Sequence, residues 1–548
     1  MLKPGKTYQE TVERFRWEIP DYYNIAVDIC DKHAQAPSRR ALIYHDEETD
    51  TVTEYTFAQL KELSNRLANS LQGLGLGRGD RIGIVLTQRP ETALTHLAAY
   101  KLGAITIPLF SLFGPDALEY RLGDSEAKMV VVDEENLEKI VAIRPHLPSL
   151  QQIIVVASKP VAEFPVFADL LQQGAETFSP LPTRADDPAL IIYTSGTTGS
   201  PKGALHAHRV LLGHLPGFEF PHNFAPQPGD CFWTPADWAW IGGLIDILFP
   251  AWHHGLPVVA YRARKFDPEK AFALLARHRI RNAFLPPTAL KMMREVPHPR
   301  ERYRFSLRTV GSGGESLGEE VLAWGREELG VTINEFYGQT EVNLVIGNCH
   351  EVMEIKPGSM GKPIPGHQVA IIQEDGSPTP VGEIGEIAIK RPDPVMFLGY
   401  WNNPQATAEK FIGDWACTGD LARMDEEGYF WFMGRKDDLI ISSGYRIGPA
   451  EVEDTILKHP AVSMVAVIGA PHAIRGTIVK AFIRLKPGFQ PSDALTRSIQ
   501  DFVKARLAAH EYPREIEFVE ALPLTTTGKI MRRVLRQQEE ERYRQQRG

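Results

Sequence analysis

DPALIIYTSGTTGSPKG, residues Asp187 to Gly203, is the stretch on which the reading of this chain turns. Ala189, Leu190, Ile191, Ile192 and Tyr193 form a short apolar, β-rich run that predicts a buried strand. Thr194, Ser195, Gly196, Thr197, Thr198, Gly199, Ser200, Pro201, Lys202 and Gly203 follow as a loop with no large hydrophobic side chain. From Ala204 to Leu215 the pattern predicts a helix, stopped at Pro216. Strand, small-residue loop and helix make a cradle for phosphate: glycine lets backbone N–H groups approach an anion, hydroxyls add donors and lysine adds charge. The spacing is not G-x-x-x-x-G-K-[ST], so the geometry of P-loop NTPases does not apply. A solvated turn is the bland alternative for any one dipeptide here.

Working outward, 548 residues exceed the roughly 250 to 300 at which a single core stops growing, so at least two domains are expected. The balance of 43% hydrophobic and 24% charged residues is that of a soluble globular protein. A formal net charge of -9 argues against nucleic acid or an anionic membrane as partner. Four scattered cysteines, Cys30, Cys231, Cys349 and Cys417, give neither a disulfide framework nor zinc-site spacing and fit a reducing cytoplasm. The first residues lack a signal-peptide core, with Glu10, Glu13, Glu18 and Asp21 against a transit peptide, and no apolar run reaches 18 residues, so no membrane span is expected.

Residues 1–20 read as a polar, partly ordered lead-in. Strand-like and helix-like patterns then alternate, which argues for α/β layering. Gly73, Gly75, Gly77 and Gly79 follow a helix and precede a strand, the reverse of a dinucleotide fingerprint, and read as a helix C-terminal stop. Gly314-Glu-Ser-Leu-Gly318 fits G-x-S-x-G, a nucleophile elbow, between a predicted strand at 307–310 and a helix at 319–329. A hydrolase or thioesterase built on Ser316 is therefore a rival reading. His206, His208, His253 and His254 lack carboxylate or cysteine neighbours at ligand spacing and argue against a protein-held transition metal. From about Asp437 short strands and helices follow one another, the size of a small domain, ending in a charged tail read as helical and exposed.

Taken whole, the 187–203 string resembles the signature loop of the adenylate-forming superfamily, which includes acyl-CoA synthetases, peptide-synthetase adenylation domains and luciferases. EFYGQTE, residues 335–341, resembles its second strong signature. The resemblance implies nucleotide contacts from Glu335, Phe336, Tyr337, Gly338 and Gln339, with Tyr337 against adenine, Thr340 on the α-phosphate and Glu341 on Mg²⁺. Each assignment suits its chemistry: an aromatic face stacks on a base, a hydroxyl donates to an oxyanion and a carboxylate is a hard ligand. It turns Gly314, Glu315 and Ser316 into a loop beside the adenine, and puts Asp420 of TGD and Arg435 of GRKDD on the ribose. Asp437 matches a hinge between a large domain, 1–436, and a small mobile one, 437–548.

The same resemblance makes Arg446 an α-phosphate contact, through a guanidinium fork suited to phosphate oxygens, and Lys529 of TTTGK the lysine inserted for adenylation. For a second half-reaction Ser443, Gly444 and Tyr445 match the loop lining a pantetheine tunnel, and Arg475, Lys504, Tyr512, Pro513 and Arg514 match places that hold the phosphates of coenzyme A. The implied activity is that of an AMP-forming acyl-CoA synthetase using ATP, Mg²⁺ and coenzyme A, with no tightly bound organic cofactor. KPIPGHQVAII, PHAIRG and TGKIMRR resemble the medium-chain and acetyl or propionyl branches. In acetate-specific members a Trp occupies the position of Gly338, so a roomier acyl pocket is expected. Asp237, Trp238, Trp240, Ile241 and Gly242 are its candidate wall, for a medium-chain, branched or aryl acid. An adenylation enzyme serving a carrier protein and a non-catalytic adenylate sensor are the alternatives. A lysine acetyltransferase acting on Lys529 would remove the charge that adenylation needs.

Overall fold

The structure, a computed structural model, describes residues 2–161, 163–194, 201–262, 265–314, 317–436, 438, 440–442, 445–472, 476–507, 511–525 and 529–547. One sheet of seven strands runs, in spatial order, Gly399–Tyr400, Lys202–Ala207, Pro188–Thr194, Ile105–Pro108, Arg81–Val85, Met129–Asp133 and Gln152–Val156. The last five pair in parallel. Strands buried on both faces read as continuous apolar runs, and Met129–Asp133 is buried at every position. The helices Phe57–Gly73 and Pro90–Lys101 pack against one another over this layer. Thr56 and Gln59 form a complete capping box on the first of them.

A larger sheet passes through Asn282–Phe284, Thr309–Gly313, Ile333–Gln339, Asn343–Gly347, Ser359–Pro363, Phe430–Arg435 and Trp415–Met424 in spatial order, parallel over the first three and antiparallel beyond. The two sheets meet around an apolar core that holds Phe57, Leu97, Leu190, Phe218, Phe232 and the fully buried Trp238 and Trp252. Near the C-terminus a separate cluster, including Ile440, Val452, Val467, Ile483 and Val503, lies under the strands Val462–His472 and Gly476–Leu485 and the helix Asp493–Lys504.

Three expectations are corrected. The segment after the phosphate loop is a strand, Lys202–Ala207, antiparallel to Pro188–Thr194, and the helix starts only at Val210 and carries Pro216 inside it. The cradle is flanked by two antiparallel strands, and among the described residues no helix N-terminus adjoins it. Residues 2–20 are held at more points than a partly ordered lead-in: Tyr8–Arg14 is helical, Tyr8 donates its hydroxyl to the Pro363 carbonyl, Trp17 donates to the Gly366 carbonyl, and the Leu2 N–H donates to the buried Glu219 carboxylate. The tail helix Arg532–Arg547 packs along Val462–His472 through Leu535, with Glu539 bonded to Lys480, so it is only partly exposed.

Candidate functional site

Asp420 is the centre around which the site residues gather. It sits on Trp415–Met424 opposite Arg435 of the neighbouring strand, a register that presents both side chains on one face. Its Oδ2 accepts from the Tyr337 hydroxyl at 2.6 Å and from Gln339 Nε2 at 2.6 Å, while Oδ1 lies 3.2 Å from the Arg435 guanidinium. Burial pushes its carboxyl up, opposed first by the charge of Arg435, then by the Tyr337 and Gln339 hydrogen bonds and the charge of Lys529. A carboxylate offers about four lone-pair positions, and with three of them engaged one position, on Oδ1, remains for a hydroxyl.

Lys529 enters from the C-terminal segment. Its loop is closed by Thr525 N–H donating to the Lys529 carbonyl at 2.7 Å and Lys529 N–H donating to Thr525 Oγ1 at 3.0 Å. A Cβ placed on Gly314 would stand 3.7 Å from Lys529 Cε and 3.9 Å from the Trp240 ring tip, and Gly314 has φ +100°. The lysine stem, Gly314 and Trp240 therefore meet at one point. Trp240 continues into an aromatic run, with ring centroids 5.6 Å to Phe284 and 5.3 Å from Phe284 to Phe336.

Around Glu341 the groups are differently charged. The Tyr400 hydroxyl donates to Glu341 Oε1 at 2.5 Å, Lys410 Nζ lies 4.0 Å from the same oxygen, and Lys410 also donates to Gln339 Oε1 at 3.3 Å. Lys202 holds its ammonium 5.3 Å from the Tyr400 ring centroid. Behind Glu341 the imidazole of His206 is fully buried, and burial pushes it down to about 4 against the opposing carboxylate charge, so it is neutral at pH 7. Among the described residues no group of three or more His, Cys, Asp or Glu could cage a metal. Mg²⁺ is ordinarily held by one or two carboxylates together with substrate phosphates, and Glu341 alone fits that donor set.

Several expected residues take up other positions. Glu335 is buried, with Oε1 accepting from the Leu317 N–H at 3.4 Å and Oε2 without a hydrogen-bond partner among the described residues; burial pushes its carboxyl up to about 8. The argument from Gly338 is corrected: a Cβ there would stand 1.8 Å from the Asn343 carbonyl oxygen, at the register shift between Tyr337 and Gly338. That glycine is required by the approach of two backbones, and its hydrogen does not by itself open an acyl pocket. Trp238 is corrected likewise, being a core residue with no exposed surface. Asp237 accepts from the Ala239 N–H at 2.8 Å, and burial pushes its carboxyl up to about 6. Ile241 is buried, and a Cβ on Gly242 would stand 2.9 Å from both the Trp240 and Phe284 rings.

In the C-terminal segment Lys504 lies over the Tyr512 ring at 4.3 Å, Arg514 donates to the Tyr512 hydroxyl at 3.0 Å, and the Pro513 carbonyl accepts from Gln500. Thr194 donates to the Lys202 carbonyl at 3.3 Å, and Thr340 lies in the turn after Ile333–Gln339. Ser195, Gly196, Thr197, Thr198, Gly199, Glu315, Ser316, Asp437, Ser443, Gly444 and Arg475, and the side chains of Tyr445 and Arg446, lie outside the described residues. Sequence reasoning missed Tyr400 and Lys410. Neither stands in a motif, and only the pairing of Gly399–Tyr400 with Ala204 and Leu205 brings the tyrosine to Glu341.

The AMP-binding enzyme model matches residues 30–401, and the model of the AMP-binding enzyme C-terminal domain matches residues 451–529. The chain is 39% identical to the acetyl-coenzyme A synthetase of Bacillus subtilis, over 97% of this chain and 95% of that protein. It is also 39% identical to a mitochondrial acyl-coenzyme A synthetase of Homo sapiens, over 97% of this chain and 93% of that protein. Among solved structures, an anthranilate CoA ligase in complex with anthranoyl-AMP superposes with a TM-score of 0.88 at 31% identity, covering 96% of this chain and 99% of its own. With two thirds of its length under one family model and near-complete overlap with relatives of the same kind, this chain belongs to the AMP-binding enzyme family.

Proposed function

We propose that this protein, an AMP-forming acid–thiol ligase, activates a carboxylic acid with an apolar or aryl tail longer or bulkier than acetate. The observation that carries the reading is the meeting of Lys529, Gly314 and Trp240 beside the Tyr337–Asp420–Arg435 cluster. An acid whose carboxylate reaches the Lys529 ammonium would have its tail against Trp240 and Phe284. A ligase of the same fold in the anthranoyl-AMP complex gives the aryl choice support.

In the first half-reaction a carboxylate oxygen attacks the α-phosphorus of ATP, the bond to the bridging oxygen breaks, and pyrophosphate leaves with its electron pair. Two anions approach one another, so cationic groups aimed at the developing charge supply most of the assistance. Lys529 and Arg446 are assigned that role, with Thr340 as a further donor. Asp420 and Arg435 fix the ribose, and Thr194 to Gly199 with Lys202 receive the outgoing phosphates. Glu341 would hold Mg²⁺, which when bound neutralises phosphate charge. In the second half-reaction the small domain, taken to begin at the hinge Asp437, turns and brings Ser443, Gly444 and Tyr445 to the tunnel. The thiol of coenzyme A then attacks the acyl carbonyl, AMP leaves, and Arg475, Lys504, Tyr512, Pro513 and Arg514 attend to the nucleotide end. A cytoplasmic setting suits the four unpaired, buried cysteines.

Lys529→Ala tests the assignment. Acid-dependent pyrophosphate release is expected to fall at least 100-fold, while thioester formation from supplied acyl-AMP and coenzyme A stays within a few-fold of wild type. Loss of both half-reactions would refute the role given to Lys529. Turnover of acetate with none of hexanoate, isobutyrate or benzoate would refute the acyl assignment.

A further inference from the structure

Glu341 would be a poor ligand if it were free to turn. It follows the strand Ile333–Gln339 in a turn, and a glutamate that swings loses rotamer entropy when it binds a cation. Here one of its oxygens is already engaged by a residue far away in the chain. The two-residue strand Gly399–Tyr400 pairs with Leu205 and Ala204, in the second strand of the phosphate hairpin. Its flanks are tied to the same two places: the Phe397 N–H donates to the Glu341 carbonyl at 2.8 Å, the Leu398 N–H to the Leu205 carbonyl at 2.7 Å, and the Trp401 N–H to the Gly203 carbonyl at 2.7 Å. The Tyr400 amide donates to Thr407 Oγ1 at 2.8 Å, and the Trp401 indole to the Asp124 carbonyl at 3.1 Å. The strap is thus held along its length, so the direction of the Tyr400 ring is set by backbone bonds on both sides.

From that position Tyr400 does two things at once. Its hydroxyl donates to Glu341 Oε1 at 2.5 Å, leaving Oε2 to point elsewhere, and its ring faces the Lys202 ammonium at 5.3 Å. Outer groups that hydrogen-bond a metal's ligand fix its orientation, and their loss typically weakens metal binding by about 10- to 100-fold.

Resting on the proposed assignment of Glu341 to the cation carried with ATP, we infer that Tyr400 is a positioning residue that fixes the Glu341 carboxylate and ties it to the phosphate hairpin. Lys410, which donates to Gln339 Oε1, stands 4.0 Å from the same Glu341 oxygen and adds its charge there.

The experiment compares wild type, Tyr400→Phe and Glu341→Gln. ATP affinity is measured by titration calorimetry in excess EDTA and again in millimolar Mg²⁺, and pyrophosphate release is followed as Mg²⁺ is raised. For Tyr400→Phe the metal-free affinity is expected to stay within twofold of wild type. The gain in ATP affinity on adding Mg²⁺ falls about tenfold, and half-saturating Mg²⁺ for turnover rises by a similar factor, so that added metal restores much of the rate. A purely structural role would lower the melting temperature and the rate without moving the metal dependence, and that outcome overturns the inference. So does a Tyr400→Phe variant with wild-type metal coupling, provided Glu341→Gln has lost it. If Glu341→Gln itself couples ATP and Mg²⁺ normally, the assignment of Glu341 is what fails, and the role of Tyr400 falls with it.

Discussion

Burial holds the Glu335 carboxyl at about 8, more than three units above the ordinary carboxylate value. The folded state therefore binds this proton more tightly than the unfolded chain does. Below the unfolded value of about 4.3 both states are protonated and nothing is lost. Between there and about 8 the unfolded chain gives up its proton first, so stability declines as pH rises and levels off above 8. The span corresponds to roughly 3–5 kcal/mol at most. Glu335→Gln keeps the shape and the acceptor for the Leu317 N–H but cannot ionise. Its melting temperature should match wild type near pH 4 and exceed it increasingly up to pH 8. Parallel melting curves across that range would show that Glu335 is not held as the acid. The sequence placed this residue among the nucleotide contacts because it stands in EFYGQTE. The structure turns it toward the Leu317 N–H, and a motif string does not carry the direction of a side chain.

At the scale of elements, Ile333–Gln339 and Asn343–Gly347 decide how the site closes. The shift of register at Gly338 presses its α-carbon against the Asn343 carbonyl, where a Cβ would stand at 1.8 Å. A methyl group there must push backbone aside, and such overpacking costs about 1–3 kcal/mol. Gly338→Ala is expected to lower the melting temperature by a few degrees and to weaken ATP binding, since Tyr337 and Gln339 flank it and both hold Asp420. An alanine variant with unchanged melting and ATP affinity would refute the close approach. Some elements were legible: the strand Pro188–Thr194 stands where its apolar, β-rich run predicted it, and the helix Glu319–Trp324 begins where one was expected at 319–329. Lys202–Ala207 was not, because Ala204, Leu205 and Val210 to Leu215 satisfy a helical period, and pairing with Pro188–Thr194 overrides it. The ordered first helix was hidden for a similar reason, since its anchors Pro363 and Gly366 lie some 350 residues on.

For the whole molecule, what matters is that the C-terminal segment meets residues from the middle of the chain. Lys529 reaches Gly314, while among the described residues the buried cluster around Val452, Val467 and Ile483 is drawn from 440–503, with Leu507, Tyr512, Ile516 and Phe518 packed against it. A segment with its own core can turn as a unit, and the Lys458–Glu319 pair at 4.0 Å, half exposed on both sides, adds little to hold it in place. The family and the layering were legible because the motifs that carry them are each local in sequence. The strap that brings Tyr400 to Glu341 is a property of sheet pairing and was not. The measurement that bears most directly on this account is pyrophosphate and AMP release by the purified protein with ATP and Mg²⁺, over acids from acetate through octanoate and benzoate, with and without coenzyme A. Acid-dependent pyrophosphate followed by AMP that appears only with coenzyme A, strongest for an acid larger than acetate, is the predicted result. Pyrophosphate release indifferent to coenzyme A, or no ATP turnover with any of these acids, would contradict it.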